Sequence, residues 1–194
     1  MKLDDASFIK LANKNKDKAF LYLVDHFSTQ VFNTCINIVR SKEDAEDITQ
    51  EIFTSIYLSL EKFEGNSKLS TWIYAISLNK SKEFLRAKTR KKRFGILTVL
   101  QKEDSHFVPD QVVNFEHPGV QLENKERAKI LFTAIDQLAE KQKTAYVLHK
   151  IEGVSYAEIA EIMQTSVSSV ESLMFRAKTR LKELLSDYYK KNEL

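Results

Sequence analysis

Apolar residues recur at helical spacing through both ends of this chain, and a long middle segment lacks that rhythm. In the N-terminal part a short helix is expected over Asp5 to Ala12, and a longer one from about Asp17 to Val39. Ser41 is placed to cap the next helix, with Asp44 three residues on and acids in the first turn, where the helix dipole favours them. Ala45, Ile48, Ile52, Ser55 or Ile56, and Ser59 or Leu60 carry its helical period, and Gly65 with Asn66 breaks it. Ser70 is placed to cap a third long helix running through Trp72, Ile73, Ile76 and Leu85.

The C-terminal part reads as four helices between about Leu122 and Leu185. The first carries Leu131, Ile135 and Leu138; the second spans roughly Lys141 to Ile151 and stops at Gly153. Ser155 with Glu158 forms a capping-box signature for the third. The last runs through Val170, Met174, Ala177 and Leu181 after a short turn at Gln164, Thr165 and Ser166. Between the two parts, FGILTVLQKEDSHFVPDQVVNFEHPGVQ holds both prolines and has no sustained helical period. A connection of that length is unusual inside one compact domain. The expectation is therefore an all-α chain of two small helical domains, 1–93 and 122–194, joined by a flexible linker, 94–121.

Composition strengthens the helical reading. Among 194 residues there are only four glycines and two prolines, too few for a turn-rich sandwich or barrel. Hydrophobic residues make up 43%, enough for real cores. A lone cysteine, Cys35, excludes an internal disulfide and suits a reduced, cytoplasmic compartment. MKLDDASF lacks the apolar core of a signal peptide, and no stretch reaches membrane-spanning length, so no direct membrane insertion is expected. The net charge of +3 hides a segregated pattern. Lys80, Lys82, Arg86, Lys88, Arg90, Lys91, Lys92 and Arg93 form a basic run, whereas Glu43, Asp44, Glu46, Asp47 and Glu51 dominate the segment upstream. Such segregation implies separate acidic and basic surfaces.

The segment YAEIAEIMQTSVSSVESLMF has helix-turn-helix spacing. Ile159 and Met163 are positioned to face the core from the first helix, small Ala160 permits a close crossing, and Val170 anchors the second helix. Such a pair presents the start of its second helix to base edges in the major groove. Glycine is common in this turn because a left-handed backbone costs it little; here the position holds Gln164, at a cost of roughly 1 kcal/mol. Either Leu173 or Met174 is buried, leaving Ser168, Ser169, Glu171 and Ser172 for the groove. Serine can pair with several base edges, and glutamate prefers the cytosine amino group. Arg176, Lys178 and Arg180 are better suited to phosphates.

Taken together, these residues resemble the extracytoplasmic-function sigma factors, a small two-domain group of bacterial RNA polymerase subunits. DAEDITQEIFTSIY looks like the family's polymerase-binding helix, STWIYAISLNKSKEFLR like its promoter-melting and minus-ten-reading helix, and SYAEIAEIMQTSVSSVESLMFRAKTRLKELL like its minus-thirty-five reader. The resemblance implies that Asp44, Asp47, Gln50 and Glu51 meet the clamp helices of the β′ subunit of core RNA polymerase, with the β subunit as a further partner. It implies that Asn79, Lys80, Lys82 and Arg86 lie along the non-template strand of promoter DNA, and that Glu64 to Lys68 form the pocket for a flipped base. Strand opening needs a basic track and aromatic faces for single-stranded bases. Trp72 is tempting as such a face, although its spacing suits the core, and Phe63 and Tyr74 are open. Ser168, Ser169, Glu171, Ser172, Arg176 and Lys178 would meet the minus-thirty-five element. An anti-sigma factor is an expected further partner. Where many relatives carry Lys, Arg and His in the recognition helix, this chain has Glu171, Leu173 and Phe175.

Two other readings compete. A simple helix-turn-helix regulator accounts for Ser155 to Leu181 but not for the acidic helix and basic run. A helical adaptor for proteins would show no salt-dependent affinity for DNA. An enzyme is not expected: His26, His106, His117 and His149 are scattered without metal-ligand spacing, and there is no phosphate-cradling glycine loop. No catalytic residue, metal or cofactor is assigned.

Overall fold

The computed structural model describes residues 3–94 and 118–192, without the side chains at 91–94, 118–125, 187–189 and 191–192. Among the described residues the regular elements are all helical: α1 (Asp5–Lys14), α2 (Lys16–Val39), α3 (Lys42–Ser59), a short 3-10 turn (Leu60–Lys62), α4 (Leu69–Phe94), α5 (Pro118–Asp136), α6 (Glu140–Lys150), α7 (Tyr156–Ile162) and α8 (Val167–Asn192). The chain divides into two compact units, Met1–Glu103 and Asp104–Leu194. Most of the segment read as a linker lies outside the described residues. Its last four positions belong to α5, which begins at Pro118, because proline is well tolerated in a first helical turn, where its missing N–H has no partner to lose.

In the first unit α2, α3 and α4 pack on one another. The apolar stripe of α2 (Leu23, Phe27, Val31, Cys35) is buried together with Ala45, Ile48, Ile52 and Ile56 of α3 and with Leu69, Ile73, Tyr74 and Leu78 of α4. Each stripe follows three- and four-residue spacing, so one face of each helix is withdrawn from water at roughly 1.5–3 kcal/mol per large side chain. Phe63 and Tyr74, left open by spacing alone, both belong to this core at 8% exposure. α1 joins through Phe8, whose ring lies 5.8 Å from Tyr22 and 6.1 Å from Phe63.

The helix ends follow local chemistry with one exception. Ser41 caps α3 by accepting from the Asp44 amide. Asp4 and Asn15 cap α1 and α2 in the same way. The Ser7 hydroxyl and amide beside Asp4 hold that carboxyl below its usual value. α4 differs: it starts at Leu69, so Ser70 lies within its first turn rather than at the cap. The Leu69 amide instead donates to Asp5 Oδ1 at 3.3 Å, a carboxylate 64 residues away on α1. Because the helix starts one residue before Ser70, the first free amide is that of Leu69, and a tertiary carboxylate rather than the serine hydroxyl satisfies it.

In the second unit Phe132, Ile135 and Leu138 of α5 and its following turn pack with Val147 of α6 and with Ala177 and Leu181 of α8. The capping box at α7 is complete: Ser155 accepts from the Glu158 amide, and Glu158 Oε2 accepts from the Ser155 amide at 3.1 Å. Ser155→Ala should therefore destabilise this unit by about 1 kcal/mol. Thermal unfolding of the purified protein checks it; an unchanged transition would show that the box adds nothing here.

Candidate functional site

On α3 the core positions leave a continuous outward face. Glu43, Asp47, Gln50, Glu51, Thr54 and Leu58 are exposed, spaced by three, four or seven residues. This face is acidic at its start and ends on a leucine that is 70% exposed. Three of the four polymerase-binding candidates, Asp47, Gln50 and Glu51, lie on it. Asp44 does not. It is turned to the flank facing α4, where its Oδ2 accepts from Lys88 Nζ at 2.5 Å. The same ammonium lies 5.7 Å from the Phe84 ring centre. The acidic and basic segments that sequence separates are thus joined by the Lys88–Asp44 ion pair. At the far end of α3, Tyr57 donates to Asp17 Oδ1 at 2.9 Å, and that bond, with the carboxylate's charge, raises the phenol above its ordinary value.

The outward face of α4 carries Asn79 and Arg86, both exposed, with Lys82 half-buried at its edge. Lys80 is half-buried on the opposite flank and lies 3.8 Å from Glu83. Trp72 is seven residues before Asn79, so it begins the same stripe. Its ring is half-buried on Phe63, with centroids 5.0 Å apart. The tryptophan is therefore at the surface edge, not in the core that its spacing suggested, because Ile73 and Tyr74 occupy the inward positions. The loop before α4 is pinned at Gly65: its φ of +76° is left-handed, and an added Cβ would fall 2.6 Å from Ile9 Cδ1. Asn66 donates to Glu64 across the exposed side of this loop at 3.2 Å.

The second unit holds the helix pair. Ile159, Ala160 and Ile162 of α7 are buried, as are Val170, Met174, Ala177 and Leu181 of α8. Ile162 takes the inward place expected for Met163, which becomes the C-cap. Between Leu173 and Met174 the core selects methionine. The turn is left-handed at Gln164, with φ of 51°. Gln164 N–H bonds to Glu161 C=O and Thr165 N–H to Ala160 C=O, closing the helix in the paired pattern that normally favours glycine. Gln164→Gly should raise the stability of this unit by about 0.5–1 kcal/mol, since relief of the left-handed strain exceeds the added chain entropy. A higher melting temperature checks it, and a lower one would show that the glutamine side chain supports the turn.

Away from its core stripe α8 presents a ridge of Ser168, Ser172, Phe175 and Thr179, all exposed. Helical spacing puts Glu171, Lys178 and Lys182 on one flank of this ridge and Ser169, Arg176 and Arg180 on the other. Ser166 caps the helix by accepting from the Ser169 amide at 3.2 Å, and its hydroxyl bonds those of Ser168 and Ser169. Arg176 Nε donates to the Ser172 carbonyl at 3.2 Å, and Arg180 pairs with Glu183 at 3.1 Å. Cations thus stand on both sides of a neutral ridge, an arrangement suited to a helix between two phosphate backbones. The ridge includes Phe175 and Thr179, which residue type alone did not nominate; their spacing of seven and eleven from Ser168 was the available signal.

Among the described residues no group of His, Cys, Asp and Glu is arranged to hold a metal ion, and no helix is long and apolar enough to cross a membrane. The sigma-70 region 2 model matches residues 23–91, and the sigma-70 region 4 model matches residues 128–181. These matches cover the α2–α4 unit and the helix-turn-helix, and they define a transcription initiation factor of the sigma class. The ECF RNA polymerase sigma-E factor of Haemophilus influenzae is 32% identical over 176 residues, spanning 91% of this chain and 92% of that protein. The RNA polymerase sigma-H factor of Pseudomonas aeruginosa is 30% identical over 188 residues, 93% of each chain. The chain belongs to the extracytoplasmic-function family of sigma factors. It binds core RNA polymerase and promoter DNA and directs promoter-specific initiation of transcription.

Solved structures share the fold. CnrH in complex with the cytosolic domain of CnrY superposes with a TM-score of 0.67 at 21% identity, covering 94% of this chain and 97% of that one. The sigma factor RpoE in complex with the anti-sigma factor NepR from Bartonella quintana gives 0.64 at 20% identity, covering 87% and 98%.

Proposed function

We propose a division of labour among three faces. The exposed acidic face of α3, with Asp47, Gln50 and Glu51, docks on the β′ clamp helices of core polymerase; Asp44 is a secondary contributor because Lys88 already engages it. The stripe of Asn79, Lys82 and Arg86 on α4, with Lys80 beside it, follows the non-template strand while bases leave the stack. The ridge of α8, with Ser168, Ser169, Glu171 and Ser172, reads the minus-thirty-five element, and Arg176 and Lys178 hold the flanking phosphates. The chain carries no chemistry of its own in this scheme; the polymerase supplies it in the cytoplasm. In this scheme the segment between α4 and α5 joins the two units, and the minus-ten and minus-thirty-five elements are read from its two sides.

The observation that carries this reading is the separation of an outward acidic face on α3 from cation-lined faces on α4 and α8 in one family-matched chain. A protein that only regulated duplex DNA would have no use for the first. An anti-sigma factor that covers the polymerase-binding face would hold the protein inactive. Two of the structural relatives support this by being complexes of that kind or with a cytosolic protein domain.

The test is a pull-down with purified bacterial core polymerase, followed by run-off transcription on fragmented DNA from the native genome. Stoichiometric binding with defined new transcripts is expected. Specific duplex binding by the protein alone, without polymerase binding, would overturn the scheme in favour of a simple regulator.

A further inference from the structure

We propose that α1 is a positioning element for promoter opening. Asp5, with Ile9 on the same helix, sets the loop 64–68 and the first turn of α4 in the arrangement that receives an unstacked base. This role rests on the assignment of that loop to the flipped base and of α4 to the non-template strand. It belongs to a helix that lies before the region 2 match at residues 23–91.

Contacts from α1 converge on this one place. The Leu69 amide donates to Asp5 Oδ1 at 3.3 Å, across 64 residues of chain. Leu69 opens α4, and Trp72 N–H bonds to Lys68 C=O at 3.0 Å to close the same turn. An amide at a helix start has no partner within its own helix, so the carboxylate completes the turn from outside. Gly65 has a φ of +76°, and an added Cβ would stand 2.6 Å from Ile9 Cδ1, so α1 lies directly against the loop backbone. Phe8 is buried, its ring 6.1 Å from Phe63, and the Phe63 ring lies 5.0 Å from Trp72.

α1 is itself held in place. Asp4 caps it by accepting from the Ser7 amide at 2.9 Å, and Phe8 sits 5.8 Å from Tyr22. The Leu3 amide donates to the Tyr22 hydroxyl at 2.8 Å. A loop that must be ordered at the moment of binding costs affinity, so a preformed place favours capture of the base. The bond from Asn66 to Glu64 spans only the exposed side of the loop; the buried side is set by α1. Asp5 touches no DNA in this role and acts through the Leu69 amide.

The experiment uses holoenzyme assembled from the full chain and core polymerase. The probe is fork-junction DNA carrying the minus-ten region of promoters identified by run-off transcription, with an abasic site at each non-template position in turn. In the wild type one position should cost about tenfold in affinity, the worth of one base held on or between side chains. With Asp5→Ala that ratio should fall to about twofold, because loss of a helix cap shifts an equilibrium by roughly fivefold. Abasic penalties elsewhere, and polymerase affinity, should stay as in the wild type. Asp5→Asn keeps an acceptor oxygen, and asparagine caps about as well as aspartate, so it should keep most of the ratio. Ile9→Ala, which leaves the cap intact, should lower the same ratio and no other, even where Asp5→Ala melts too early to assay.

Equal losses at every position, or a matching loss of polymerase affinity, would mark α1 as general support for the unit and overturn the proposal. So would a wild-type ratio in Asp5→Ala or in a folded Ile9→Ala, or an Asp5→Asn variant as poor as Asp5→Ala. A wild type that opens promoters yet is indifferent to an abasic site at every position would overturn the reading of the loop, and this proposal with it.

Discussion

Replacing both Asp47 and Glu51 by lysine should weaken core-polymerase binding by about 100-fold or more and leave the fold intact. Both side chains are exposed on the outward face of α3, one helical turn apart, with Gln50 between them. Charge reversal there converts attraction for a basic partner helix into repulsion, and like charges brought together at an interface cost several kcal/mol. Every 1.4 kcal/mol is tenfold in affinity, so the expected loss exceeds 100-fold. The core beneath is untouched, since Ala45, Ile48, Ile52 and Ile56 carry it. Binding titrations at two ionic strengths check the result. Asp44→Lys is the internal comparison: it should cost less affinity, because its partner in the free protein is Lys88. Wild-type affinity in the double variant would refute the docking face.

The second large effect concerns α4. Lys80, Lys82 and Arg86 replaced together by alanine should impair promoter opening far more than polymerase binding. For single-stranded DNA each lost phosphate contact flattens the dependence of log affinity on log salt by roughly 0.7, so three contacts correspond to about two units of slope. Lys80 already lies 3.8 Å from Glu83, so its share should be the smallest. Permanganate reactivity of unpaired thymines, measured beside polymerase binding, separates the two steps. Equal loss of both would show that the triple change damages the unit as a whole.

The reach of local sequence is clearest at particular residues. The caps at Ser41 and Ser155 are legible in the chain because a cap acts within three residues of itself. The left-handed place of Gln164 is legible for the same reason. The start of α4 is not: its first amide is met by Asp5 from α1, and nothing local to Ser70 announces a carboxylate 64 residues distant. Phe63, Tyr74 and Trp72 show the same limit. Their spacing allows core or surface, and only the packing of α1 and α4 around Phe63 decides which rings are enclosed.

Asp44 is the instructive case for the candidate site. By residue type it is indistinguishable from Asp47, and both sit in the acidic stretch. Three residues along a helix are nearly one turn, yet the small angular remainder turns Asp44 to the α4 side and leaves Asp47 in solvent. Phe175 makes the complementary point. Its position on the ridge is implicit in spacing, and its 72% exposure is a tertiary fact.

Chain order alone dictates the helices, most of their caps, the succession of acidic, basic and helix-turn-helix segments, and through these the family. Those features depend on residues within a turn or two of one another, so the amino-acid sequence states them directly. Packing between helices settles which charges remain available and which are paired, which of two adjacent side chains enters a core, and what completes the start of α4. Each of those outcomes depends on a neighbour supplied by another helix, and the identity of that neighbour is set by the fold rather than by distance along the chain.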